Sequence, residues 1–223
     1  MRLAIFDLDS TLIEGDSDFL WGQYLVELGV VNADEYAAKN EQFFADYKAG
    51  TLDVAAFQHF SLRPLAQNTL SDLIRWRASF VADKIRPLIR PKALEVVLQH
   101  HRAGDVLLII TATNSFVTRP IADCFGIMHL IGTEPERDGN RFTGHVSGVT
   151  SFHAGKVTRL NTWLETHQLS LSDSFFYSDS HNDLPLLQTV DHPVVVNPDA
   201  TLRAHANAQG WPIRDWSQTV VDG

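Results

Sequence analysis

An α/β fold on a mostly parallel sheet is predicted by three observations. Short apolar runs recur along the chain, "LAIF" from Leu3, "VLLII" from Val106 and "HPVVV" from His192. They lack the polar alternation of a strand with one wet face, so they read as strands covered on both sides. Segments of helical length and period lie between them, as a parallel sheet requires.

The elements follow in order. Leu3 to Phe6 is the first strand. From about Asp18 to Ile85 the texture is helical, with caps and stops where helices need them. "DSDFLWGQYLVELG" ends at Gly29, and "NADEYAAKNEQFFADYKAG" runs from Asn32 to Gly50; "LDVAAFQHFSLRPL" and "LSDLIRWRASFVADKI" complete a small helical bundle. Pro87 and Pro91 mark re-entry, a helix runs from Pro91 to Ala103, and "DVLLIITATNS" is a second buried strand. Helix "SFVTRPIADCFG", strand "HLIGTE", a polar strand pair turning at Asp138-Gly139 and helix "GKVTRLNTWLETHQ" come next. "SFFYSDSHNDLPLLQTV" and "HPVVVNPDATLRAHANAQG" each supply a further strand and helix.

A chain of 223 residues can hold one large domain or a core with an insertion. Its formal charge of -9 argues against nucleic acid and anionic membranes as partners. Cys124 is the sole cysteine, so no intrachain disulfide forms, and its apolar context reads as a buried structural thiol. No secretory signal or membrane-length apolar stretch is present, which leads to the expectation of a cytoplasmic protein. The pair His100-His101 and the other scattered histidines lack metal-site spacing and read as surface residues.

Polar groups gather at the strand exits. Asp7 and Asp9 follow the first strand, Thr111 and Thr113 end the second, Lys156 opens a later helix, and Asp179 and Asp183 follow "FFYS". In an open α/β sheet such exits line one crevice, so residues distant in sequence can converge. Carboxylates behind a buried strand cost desolvation unless a cation compensates, and this all-oxygen set suits Mg²⁺. A lysine and a threonine suit the oxygens of a bound phosphate.

With "DLDST", "IITAT", "GK" and "YSDSHNDLPLL" in this order, the chain resembles the haloacid dehalogenase superfamily of phosphohydrolases. Its layout is most similar to the phosphoserine-phosphatase-like branch, which carries a helical cap between the first two motifs. The resemblance implies a Rossmann-like core from 1–14 and 87–223 with a cap from 15–86. It implies Asp7 as nucleophile, forming an aspartyl-phosphate, and Asp9 as acid and then base. It implies Mg²⁺ held by Asp7, the Asp9 carbonyl and Asp179, with Asp183 on the metal or its waters. Thr111 and Lys156 would bind the phosphoryl oxygens; Asn114, Ser115 and Asn182 are candidates for secondary phosphate contacts or for supporting the groups that make them. The branch places a substrate-binding glutamate nine positions after the nucleophile; Asp16 stands there here, which favours an amine-bearing ester while departing from the phosphoserine pattern.

Ordinary readings stand beside these. Asp16, Ser17 and Asp18 also suit a helix cap, as do Asp179, Ser180 and Asn182, and the aromatics of the bundle suit its core. The function expected is hydrolysis of a small phosphate monoester, an amino-acid or amino-alcohol phosphate such as phosphoserine or histidinol phosphate. A phosphotransferase or mutase, or a phospho-acceptor switch without enzymatic activity, remains an alternative. The oligomeric state is left open.

Overall fold

The computed structural model describes residues 2–217; Met1 and 218–223, which the predicted core span includes, lie outside the described residues. β1 (Leu3–Phe6) opens the chain, followed by α1 (Ser17–Glu27), α2 (Ala33–Ala49), α3 (Val54–Gln67) and α4 (Leu70–Phe80). α5 (Pro91–Arg102), β2 (Val106–Asn114), α6 (Ser115–Cys124) and β3 (His129–Thr133) come next. β4 (Pro135–Asp138) and β5 (Arg141–Val146) form a separate antiparallel hairpin. α7 (Ala154–His167), β6 (Phe175–Ser178), α8 (Leu184–Leu187), β7 (His192–Val196), α9 (Ala200–Gln209) and β8 (Ile213–Arg214) complete it.

The main sheet has the order β3-β2-β1-β6-β7-β8, with every pairing parallel. It is the mostly parallel α/β sheet that the apolar runs predict. Alternation along β1 sends Ala4 and Phe6 to one face and Leu3 and Ile5 to the other, each into its own core. Val97 of α5 and Val117 and Ile121 of α6 pack on the first face, while Leu160 of α7 and Leu202 of α9 pack on the second. The strand order reverses between β1 and β6, so the carboxyl ends of these neighbours flank the crevice where such sheets bind ligands.

Each of the four early helices starts where its sequence supplies a cap. Asp16, Asn32, Asp53 and Thr69 accept from the backbone N–H of Phe19, Glu35, Ala56 and Asp72. The segment leaves and rejoins the sheet along paired backbone: Ile13 bridges Ile89, Glu14 N donates to Leu88 O at 2.7 Å and Arg90 N to Leu12 O at 3.1 Å. The helix predicted as far as Ile85 ends at Phe80 instead and continues as a π-helical turn over Val81–Ile85 and a 3₁₀ turn over Arg86–Leu88. Pro87 has no N–H to give and disfavours helical backbone before it, which explains the loosening. β8 escapes the sequence reading because two residues show no period.

One surface assignment is corrected. His100 is buried under the sheet, its ring nitrogens 2.7 Å from Asp105 Oδ2 and 2.7 Å from the Tyr177 hydroxyl. Its neighbour His101 is exposed. The helix ends one residue after the pair, and only one side of that last turn faces the core. Cys124 is half-buried, its thiol directed at the Pro120 carbonyl and its pKa pushed up by burial.

Candidate active site

Asp7 is the first residue beyond β1, and its N–H still joins the ladder, donating to Tyr177 O of β6 at 2.9 Å. Asp179 follows β6 directly, so adjacent strands deliver these two carboxylates to one rim. Ser10 turns the chain sharply after Asp9, with a left-handed φ of 57° that L side chains rarely adopt. Leu12 and Ile13 then donate back to Leu8 O. This tight turn inserts the Thr11 hydroxyl between the carboxylates, 3.3 Å from Asp7 Oδ2 and 3.0 Å from Asp179 Oδ1.

Lys156 reaches the same point from α7. Its buried ammonium donates to Asp7 Oδ1 and to Asp183 at 2.8 Å each. The preceding Gly155 is required here, because a Cβ would run into the Thr150 carbonyl. Ser178 Oγ donates to Asp183 at 2.7 Å, so the oxygens of Asp183 are engaged by Lys156 and Ser178. Asp9 is held by the Ser17 N–H at 2.7 Å and by the hydroxyls of Thr113 at 2.8 Å and Thr111 at 3.2 Å. The strand exits predicted to converge do so.

Charge in this pocket is poorly compensated. Burial pushes Asp7 up to about 7, against the attraction of Lys156 and with the repulsion of Asp183 and Asp9. Burial, then Asp16, pushes Asp9 up to about 6, while its bond from Ser17 works the other way. Asp179 is raised well above the usual carboxylate range by burial and by Asp7. Burial opposes the charge of Lys156, but Asp183 and Asp7 outweigh it and raise its pKa.

Lys156 thus serves Asp7 and Asp183 while Asp179 has only Thr11, and the excess of negative charge is one that a divalent cation would offset. Their donors are all oxygen, which fits Mg²⁺ rather than a thiolate- or imidazole-seeking ion. Among the described residues no three carboxylate, imidazole or thiol side chains are arranged to hold a metal ion by themselves. Mg²⁺ is served by fewer, since it keeps several waters and takes oxygens from a substrate phosphate.

A cavity opens from Asp7 and Asp9 into the helical segment. Asp16 and Asp18 line it together with Phe43, Phe44, Tyr47 and Phe57. Asp16 does both things the sequence allows: it caps α1, accepting from Phe19 N at 2.8 Å, and it faces the cavity. Burial raises its pKa, and raises that of Asp18 well above the usual range.

The two asparagines stand elsewhere. Asn114 caps α6, accepting from Val117 N at 3.1 Å, and is not part of the cavity wall. Asn182 Oδ1 lies 2.8 Å from His153 Nε2. Thr11, Thr113, Asp18 and Gln58 are site residues that the candidate set lacks. Thr11 and Thr113 lie inside the quoted motifs, so their signal was present; Gln58 sits mid-helix and carries none.

A haloacid dehalogenase-like hydrolase model matches residues 4–188, from β1 through α8 and including the four motifs. The chain belongs to that family. Over 217 residues it is 48% identical to a histidinol-phosphatase of Neisseria meningitidis serogroup C (strain 8013), covering 95% of this chain and 97% of that protein. A Bordetella pertussis Tohama I protein of unknown function superposes with a TM-score of 0.92 at 43% identity, covering 97% of this chain and 99% of the other. A phospho-aspartyl intermediate analogue of phosphoserine phosphatase shares the fold, with a TM-score of 0.71 at 14% identity over 98% of this chain and 95% of that one. The chain is accordingly an enzyme, a phosphatase of this family.

Proposed function

We propose that this phosphatase hydrolyses a small phosphate monoester whose alcohol carries positive charge, with histidinol phosphate as the substrate that fits best. One observation carries the choice. Among the described residues, the cavity wall holds four aspartates, several aromatic rings and neither lysine nor arginine. An ammonium is welcome beside Asp16, and a flat ring beside the aromatics. The carboxylate of phosphoserine would meet like charge there, a juxtaposition that costs several kcal/mol. The name of the Neisseria relative points the same way.

The residues support a two-step displacement. An Asp7 carboxylate oxygen bonds to phosphorus as the ester P–O bond breaks, and the leaving alkoxide takes the proton of Asp9. Burial holds that proton at a higher pH than usual, as an acid near neutrality requires. Asp9 then takes a proton from water, the water oxygen bonds to phosphorus, and the Asp7–phosphorus bond breaks to release inorganic phosphate. Lys156 and the Thr111 hydroxyl bind the phosphoryl oxygens and spread their charge. Asp7, Asp179 and the Asp9 carbonyl would hold Mg²⁺, with Asp183 behind them, to neutralise and orient the phosphate.

In this reading 15–86 form a cap over a core of 1–14 and 87–223, and the paired backbone at Ile13 and Ile89 is its hinge. An acid for a leaving group and an enclosed cavity are features that a phospho-acceptor switch has no use for. No helix among the described residues is long and apolar enough to cross a membrane, and we place the enzyme among cytoplasmic small-molecule phosphatases. The test compares kcat/KM for histidinol phosphate and O-phosphoserine with Mg²⁺ present, following alcohol and inorganic phosphate together. Histidinol phosphate should lead by about a hundredfold or more, with both products in equal amounts. Equal or better turnover of O-phosphoserine would overturn the substrate reading, and alcohol released without phosphate would point to transfer.

A further inference from the structure

We infer that Asp18 and Gln58, which line the cavity together with Phe43 and Phe57, form a second recognition point that accepts N–H donors from a ring on the leaving alcohol. This rests on the phosphomonoesterase reading above and adds which residues set its specificity beyond Asp16. Three observations converge on it.

Gln58 is more than nine-tenths buried and lines the cavity, yet its Oε1 has no hydrogen-bond partner. A buried acceptor left unpaired is costly, and a donor supplied by a ligand removes that cost. Asp18, half-buried, lines the same cavity. Burial, Asp16 and Asp9 all press on its carboxylate, and no side-chain or backbone donor among the described residues relieves it. Asp16, by contrast, already accepts from Phe19 N.

Aromatic rings line the same cavity. Phe43 and Phe57 meet edge to face with centroids 5.5 Å apart, a surface on which a planar ring can lie. Asn40 fixes the geometry, its Nδ2 donating to Phe19 O at 2.9 Å and tying α2 to α1 beside Asp18. The unpaired Gln58 amide oxygen and the Asp18 carboxylate both accept hydrogen bonds, so the point favours a ring with N–H groups, neutral or cationic. It gives nothing to a bare ammonium that Asp16 already satisfies.

The experiment measures KM and kcat for histidinol phosphate and for O-phosphoethanolamine, which has the phosphate and ammonium but no ring. The wild-type enzyme should favour histidinol phosphate by about tenfold or more in kcat/KM. Asp18→Asn and Gln58→Leu should each raise KM for histidinol phosphate by about tenfold, with kcat little changed. Their kcat/KM for O-phosphoethanolamine should stay within about twofold of wild type, which also reports correct folding. Gln58→Glu, which keeps an acceptor, should retain most of the affinity. If Gln58→Leu does not fold, the near-isosteric Gln58→Met takes its place. Equal losses on both substrates, or no change on histidinol phosphate, would overturn the inference. A wild-type enzyme that hydrolyses neither ester sinks the underlying reading instead.

Discussion

The ammonium of Lys156 lies 2.8 Å from Asp7 Oδ1 in a position only 4% exposed, and it donates to Asp183 as well. One cation therefore serves two buried carboxylates, and in the proposed reaction it also meets the phosphate. Lys156→Met should lower kcat by about a hundredfold or more, since charge near the phosphoryl group is lost. It should also cost about 3–5 kcal/mol of stability near neutral pH, because Asp7 and Asp183 are left buried without a partner. Their carboxyls would then hold protons more tightly, so the loss should shrink on acidification. Melting curves in acid and in mild alkali check this; an equal loss in both would show that the ion pair does not stabilise the fold.

The raised carboxyls give the metal-free protein a pH dependence of definite sign. Burial pushes Asp7 up to about 7 and Asp9 up to about 6, both above the unfolded value of about 4. The folded chain therefore holds protons that the unfolded chain has released. That stability is complete below about pH 4 and is lost as pH rises through the folded values near 6 and 7. Mg²⁺ binds only ionised carboxylates, so it should raise the Tm more at about pH 8 than at about pH 5. Thermal melts with and without the ion read the difference. An equal shift at both values would separate these groups from metal binding.

Asp9 is held by Ser17, Thr111 and Thr113, and the acid role proposed for it can be isolated by the leaving group. A nitrophenolate departs without a proton, whereas an alkoxide does not. Asp9→Asn should therefore slow histidinol phosphate by roughly a thousandfold, within the usual range for general acid–base catalysis. With p-nitrophenyl phosphate it should give a burst of nitrophenolate and then stall, since water is no longer activated. Stopped-flow absorbance and acid-trapped aspartyl-phosphate would record it. Uniform losses on both esters with no burst would remove Asp9 from the proton path.

Much of this site was legible because strand exits are marked locally. The runs "LAIF" and "FFYS" end in Asp7 and Asp179, and a parallel sheet carries neighbouring exits to one rim whatever lies between them in sequence. What was not legible depends on tertiary approach. Gln58 enters the cavity from the middle of α3, where its helix shows only an amphipathic pattern. His100 was misjudged as a surface residue because a polar pair at a helix end carries no sign of which member faces Tyr177. Asp16 illustrates the overlap: capping and cavity lining use the same carboxylate, so neither reading excludes the other.

Gly22 shows how the helical segment holds its cavity in shape. A Cβ there would stand 2.5 Å from Asn40 Oδ1 on α2, too close for any side chain. Alanine would gain about 1 kcal/mol in helix propensity, yet overpacking costs about 1–3 kcal/mol and the bond from Asn40 to Phe19 O about 1 kcal/mol more. The clash should win. Gly22→Ala is expected to lower stability and raise KM while leaving kcat nearly unchanged, because Asp7 and Asp9 are untouched. A more stable variant with wild-type KM would mean that α1 and α2 can separate freely.

Beneath the sheet, Arg2, Asp105, His100 and the Tyr177 hydroxyl form a continuous chain. Arg2 meets Asp105 at 2.9 and 3.0 Å, and the His100 ring bridges Asp105 and Tyr177 at 2.7 Å each. Burial works against the charge of Asp105, but Arg2 and His100 outweigh it and hold its pKa below the usual range. Tyr177→Phe leaves a buried imidazole nitrogen without its partner, which should cost about 1–3 kcal/mol. The phenol ring packs on Phe6 at 4.9 Å and survives the change, so no cavity opens. Asp7 is anchored by the backbone carbonyl of Tyr177 rather than by its hydroxyl, so kcat should hold. Urea unfolding beside steady-state rates tests the separation. A large drop in kcat with unchanged stability would mean that this buried chain reaches the chemistry after all, through the strand that leads into Asp179.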